Sequence, residues 1–140
     1  CPLITFKLKM VADQLTPEEA GQVRFVGVSL DPERDTLQAA TKYLEALPSP
    51  QGMLFLTGTR EALESVWRSY KVEAKQVMTT PKEGTPIEGS HAGHKGYIVA
   101  HNIIAYLIDT QGVVRAVYVP DQDFESGDLV KDMRNLLSVR

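Results

Sequence analysis

Two short apolar runs, residues 23–30 and 53–57, are separated by a stretch with helical spacing, and this alternation constrains the fold more than any other feature. Runs this short and this rich in β-branched residues read as buried strands, and strands placed either side of a helix are joined in parallel through a crossover. Thr36 can cap the intervening helix, which runs to about Leu47 before Pro48, Ser49 and Pro50 break it. Thr59 caps the next helix, residues 60–70, with Leu63, Val66, Trp67 and Tyr70 facing inward. Upstream, Ile4, Leu8, Val11, Ala12 and Leu15 recur at helical spacing, with Pro2 tolerated in the first turn. Downstream, residues 103–109 and 113–119 read as a hairpin around Thr110, Gln111 and Gly112, and Asp128 opens a last helix to about Leu137. Residues 73–96 show no sustained period and read as an irregular insertion, of which residues 84–96 are expected to form a mobile surface loop. The expected architecture is α/β, with parallel strands joined by helices and an antiparallel edge.

A length of 140 residues predicts one domain, residues 1–140, able to bury its own core. The net charge of −3 argues against a nucleic-acid partner, because neutralising phosphates needs surplus Lys and Arg. The longest dense apolar run, residues 97–108, is interrupted by His101 and Asn102 and falls short of the roughly 18 to 20 residues that span a bilayer. The single cysteine excludes an internal disulfide and a CxxC motif. It stands at position 1 in place of an initiator Met, so a preceding segment is expected.

Four places can carry chemistry. Cys1 and Pro2 open a helix, where unpaired N–H groups and the helix dipole favour a thiolate, which is both a nucleophile and a soft-metal ligand. The plain alternative is that Cys1 merely marks where the chain begins, or is the lipid-bearing first residue of a bacterial lipoprotein. His101 lies among apolar residues just before a strand, where a lone imidazole is more often structural than a ligand. His91 and His94 stand at i, i+3, a chelating spacing without a helical context, and solvated loop histidines are the plainer reading. Asp31, Pro32, Glu33, Arg34 and Asp35 follow the first strand at the sheet's carboxyl edge, where α/β proteins place sites, although a turn and helix entry account for them equally.

Read together, Cys1-Pro2, the string from Val26 to Thr36, Leu56-Thr57-Gly58-Thr59 and the stretch from Tyr97 to Asp109 resemble the Sco (SCO/SenC) family of cytochrome c oxidase assembly proteins in order and spacing. The resemblance implies a thioredoxin-like fold that lacks its N-terminal strands here, the central strand before the cysteine motif among them. It also implies one copper ion, Cu(I) or Cu(II), bound by a C-x-x-x-C-P motif and a distant His. Cys1-Pro2 matches the second Cys and its Pro, placing the first four residues upstream; the other alignment makes Cys1 the first, with Thr5 in place of the second. His101 matches the copper-binding His and Asp31 falls in the acidic motif near the site; separately, if the loop of residues 84–96 lies beside that site, its His91 and His94 are expected as auxiliary copper contacts. Ala100 stands where many members have Asp, so a carboxylate role at that position is lost.

The function implied is a copper metallochaperone that delivers copper to the Cu(A) centre of the oxidase, or reduces that site's cysteines. Its partners would be the Cu(A) subunit and other copper chaperones. A membrane anchor is expected upstream, at the bacterial periplasmic face or in the mitochondrial intermembrane space. The rival is a thioredoxin- or peroxiredoxin-like thiol-disulfide oxidoreductase with Cys1 as its nucleophile, for which His101 would be dispensable. A third reading is a domain of this type that has lost its metal and serves in protein interaction.

Overall fold

The computed structural model describes residues 2–78, 96–119 and 125–138. The first helix, α1 (Pro2–Ala12), leads to a single capped turn, α2 (Pro17–Ala20), in which the Thr16 side chain accepts from the Glu19 amide and the Glu19 carboxylate accepts from the Thr16 amide. Strands β1 (Val26–Val28) and β2 (Leu54–Leu56) pair in parallel, with Val26 opposite Leu54, and α3 (Leu37–Ala46) makes the crossover between them. Gly27 lets the two strands close: a Cβ there would stand 3.1 Å from the Phe55 ring. Thr36 and Thr59 cap α3 and α4 (Arg60–Ser69) as their positions predict, each accepting from the amide three residues on.

The chain after α4 departs from expectation. At the start of the expected irregular insertion lies a strand, β3 (Ala74–Met78), which pairs antiparallel with β4 (Tyr97–His101), Ala74 facing His101 and Met78 facing Tyr97. His101 therefore ends a strand of its own as well as preceding the next. Four of the five β3 residues are exposed, so this strand carries no buried alternation and left no period to read in the sequence. The expected loop, residues 84–96, lies outside the described residues apart from Gly96. The next hairpin is as predicted, β5 (Ala105–Ile108) against β6 (Val114–Tyr118), although β5 begins two residues late and a register shift falls between Leu107 and Ile108. Gly112, at φ 80°, supplies the left-handed turn residue, and the last helix, α5, spans Ser126–Ser138. Among the described residues the strands form three separate two-stranded sheets.

Helix α5 buries Leu129, Val130 and Met133 against Val11 of α1, and Leu8, Leu15, Val23, Phe25, Leu107 and Tyr118 pack around them. Along α4 the inward face is narrower than expected: Leu63 and Trp67 are buried, whereas Val66 is exposed. Removing a buried side chain leaves a cavity that close-packed neighbours fill only in part. Leu129→Ala is thus expected to lower unfolding free energy by about 2–5 kcal/mol, against much less for Val66→Ala, as read from the urea midpoint at constant slope.

The Asp109 carboxylate organises the β5–β6 turn. It accepts from the amides of Gln111 and Val113, each at 2.9 Å, and from Arg115 at 2.7 Å. These bonds, the one from Val113 foremost, hold its carboxyl below the ordinary carboxylate value of 3.8. A carboxyl depressed on folding adds stability that is complete above the unfolded value and disappears as pH falls through the folded one. Asp109→Asn should therefore flatten the loss of thermal stability of the wild-type chain below pH 3.8, a difference that melting curves at neutral and acid pH would show.

Candidate metal centre

Because β1 and β2 are parallel, the segments that leave their carboxyl ends lie side by side. Residues 29–35 follow β1 and residues 57–60 follow β2; Thr57 Oγ1 donates to the Asp35 carbonyl at 2.6 Å, and Arg60 holds the Glu33 carboxylate at 2.5–2.7 Å. That contact keeps the Glu33 carboxyl below its ordinary range. Ser29, only 1% exposed, donates to the Asp35 carboxylate at 2.6 Å and accepts from the Asp31 amide at 3.0 Å, while the Trp67 indole N–H donates to the Ser29 carbonyl at 3.0 Å. The turn after β1 is thus bonded on every side.

Asp31 is 7% exposed and both of its oxygens are engaged: one accepts from Arg34 Nε and the other from the Tyr97 hydroxyl at 2.8 Å. Arg34 also lies over the Tyr97 ring, 4.1 Å from its centroid, and donates through Nη1 to the Tyr97 carbonyl at 3.1 Å. Burial, and then the bond to the Asp31 carboxylate, raise the Tyr97 phenol above its ordinary range, so it stays a donor. Asp31 is a structural carboxylate with no oxygen left over, and its contact with β4 runs through Tyr97.

The other end of β4 carries His101. Helix α4 closes with Lys71 in the left-handed conformation (φ 52°), its amide bonded to the Arg68 carbonyl and the Val72 amide to the Trp67 carbonyl. Asn102 then ties that turn to β4: its side chain accepts from the Glu73 amide at 2.9 Å and donates to the Lys71 carbonyl at 3.2 Å. The Asn102 carbonyl lies 3.0 Å from His101 Nδ1. A carbonyl can only accept, so this contact assigns the proton of a neutral ring to Nδ1 and leaves the lone pair on Nε2 free. His101 lines an open groove of about 700 Å³ between α4 and the ends of the β3–β4 ribbon, where Arg60, Arg68 and Lys75 alternate with Glu64 and Glu73.

The expected ligands are therefore only partly in view. Cys1 lies outside the described residues and immediately precedes Pro2, the first residue of α1; His91 and His94 also lie outside them. Thr5, the residue that one alignment puts in a cysteine position, is buried, with its hydroxyl 2.9 Å from that of Tyr43. Among the described residues, no group of three or more His, Cys, Asp or Glu side chains could hold a metal ion. The structure joins Asp31 to the strand that ends in His101, which sequence spacing alone did not indicate. Arg34 was named only as part of the string after the first strand, and Tyr97 and Asn102 were passed over as site residues; the alternation of Tyr97, Val99 and His101 was the one available sign that Tyr97 shares a strand face with the histidine.

Comparison with known proteins finds the same fold. The solved structure of Bradyrhizobium japonicum ScoI with copper bound matches with a TM-score of 0.71 at 25% identity, over 97% of this chain and 75% of that one. Apo Sco1 from Thermus thermophilus gives 0.71 at 26%, over 97% and 70%. The mitochondrial protein SCO1 homolog 1 of Arabidopsis thaliana is 31% identical over 136 residues, 96% of this chain. The chain spans 36% of the length of that relative. With a thioredoxin-like α/β fold shared with these structures and the SCO1/SenC family model matching residues 1–138, the chain belongs to the SCO1/SenC family.

Proposed function

We propose that this chain is a copper metallochaperone, binding copper as cargo through Cys1 and His101 and delivering it to the Cu(A) centre of cytochrome c oxidase. The observation that carries this reading is the fixed imidazole: the Asn102 carbonyl engages Nδ1, which leaves Nε2 open beside the groove. Metal-binding histidines are held in this way, with the second ring nitrogen bonded to an outer acceptor that sets tautomer and direction. A thiol oxidoreductase does not require a histidine at this position, whereas a copper site of this kind does.

The donor set suits the cargo. Thiolates satisfy soft Cu(I), and an imidazole extends the range to Cu(II). Cys1 adjoins the first residue of α1, where the helix dipole favours thiolate over thiol. The loop histidines His91 and His94 are auxiliary contacts in this scheme. A copper-bound neighbour and a mitochondrial relative support it, as does membership of the SCO1/SenC family, whose resemblance implies a role in oxidase assembly. The partners are the Cu(A)-bearing subunit and other copper chaperones, and the setting is a membrane surface, periplasmic or mitochondrial. None of the described helices is long and apolar enough to cross a membrane.

Two measurements test the reading. His101→Ala in the complete protein is expected to weaken Cu(II) by more than about 100-fold, since removing even an outer partner of a ligand costs roughly 10- to 100-fold, while Cu(I) stays bound to thiolate. Cys1→Ser should remove the thiolate-to-Cu(II) charge-transfer band. If reduced wild-type protein shows no such band and keeps no copper through dialysis, the chaperone reading fails; Cys1→Ser abolishing thiol turnover while His101→Ala changes nothing would put an oxidoreductase in its place. In the metal-free protein at alkaline pH, long-range proton–nitrogen NMR of the His101 ring should show the Nδ1–H form, and the Nε2–H form would remove the geometric basis of the reading.

A further inference from the structure

Among the described residues, side-chain hydrogen bonds tie the β3–β4 ribbon to the rest of the molecule at two places. Its base, where Ala74 faces His101, leaves the end of α4 and is tied there by Asn102 to Lys71 and Glu73. Its far end, where Met78 faces Tyr97, meets the turn after β1 through Asp31 and Arg34. Between these points burial does little to fix it, since Ile98 and Ala100 are exposed along with four of the five β3 residues. A ribbon fastened at its base alone can swing and roll about that base, and its base is where His101 sits.

We propose that Asp31, Arg34 and Tyr97 form a clasp that positions His101 by fixing the far end and the roll of β4. Residues alternate across a strand, and the half-buried positions Tyr97, Val99 and His101 share one face of β4. At about 3.3 Å per residue, the tyrosine and histidine positions on that face are separated by about 13 Å. Whatever sets the plane of the Tyr97 ring therefore sets the side of the strand from which the imidazole projects. Arg34 grips Tyr97 by its ring face and by its carbonyl, and Asp31 grips the hydroxyl. A planar guanidinium stacks flat on a ring while its fork of donors reaches a carboxylate and a carbonyl, a geometry that a compact ammonium matches poorly. Asp31 is itself locked, because its carbonyl accepts from the Arg34 and Asp35 amides and its amide donates to buried Ser29. The three residues are positioning residues and need not touch the metal.

The inference rests on the copper reading for one of its two readouts, and the other needs no metal. In the full chain, Arg34→Ala is expected to weaken Cu(II) about ten-fold and to change the nitrogen hyperfine pattern of its spin-resonance spectrum, with Cu(I) affinity held within about two-fold. Arg34→Lys should fall between the two, and Arg115→Ala, which removes an equal charge from the β5–β6 turn, should change neither quantity. Without metal, Arg34→Ala should speed hydrogen exchange at the Val99 and His101 amides and move the His101 ring resonances, leaving β5 and β6 unaltered. Unmoved His101 resonances in a folded Arg34→Ala protein overturn the clasp. If wild type gives no nitrogen-coupled Cu(II) signal, the copper reading fails instead, and the metal-free resonances alone decide the clasp. Should Arg34→Ala not fold, Tyr97→Phe, which removes one hydroxyl and keeps the ring, takes its place: a smaller displacement of the same resonances supports the clasp, and none overturns it.

Discussion

A carboxylate withdrawn from water has to be surrounded by donors, and the arrangement of the whole upper edge of this protein follows from meeting that demand at Asp31. Its neighbours in sequence cannot do so alone. Arg34 comes from the same turn, but the second donor is the hydroxyl of Tyr97, 66 residues further on, so the buried charge reaches across the molecule and draws in the end of β4. Ser29, Asp35, Thr57 and Trp67 complete the frame by bonding the turn to β2 and α4. Breaking such a set at one member leaves an uncompensated buried charge, a heavier cost than the net worth of any one bond in it.

The apolar core lies elsewhere. Val11, Leu129, Val130 and Met133 seal α1 against α5, and the flanks of β1 and β5 pack beneath them. The packed layer thus secures α1, the helix that follows Cys1, while the polar frame after β1 secures the strand that bears His101. The two halves of the proposed copper site depend on different physics: close packing of alkyl groups on one side, satisfied hydrogen bonds and a cation over a ring on the other. Large-to-small changes in the helices would act first on the cysteine side, and charge or hydroxyl deletions on the histidine side.

Much of the local structure was legible because local rules decide it. Thr36 and Thr59 announce helix starts through a side-chain oxygen placed three residues before an amide, and Gly112 marks a turn that needs positive φ. The parallel pairing of β1 and β2 follows from the helix between them. Membership of the SCO1/SenC family was also readable, from the string ending Asp31-Pro32-Glu33-Arg34-Asp35-Thr36 and from the histidine set before an isoleucine-rich stretch.

What the tertiary structure alone decided is the environment of His101. The β3–β4 pairing was illegible because contact between residues 74–78 and 97–101 is non-local, and the exposed residues of β3 impress no pattern on the sequence. The role of Asp31 was equally hidden, since nothing in a sequence records that a carboxylate will find a phenol 66 positions away. The residue types capable of copper chemistry, Cys1 and His101, are written in the chain. The tautomer and direction of the imidazole are set by the Asn102 carbonyl and by the frame around β4, because a hydrogen bond depends on where folding brings its two partners.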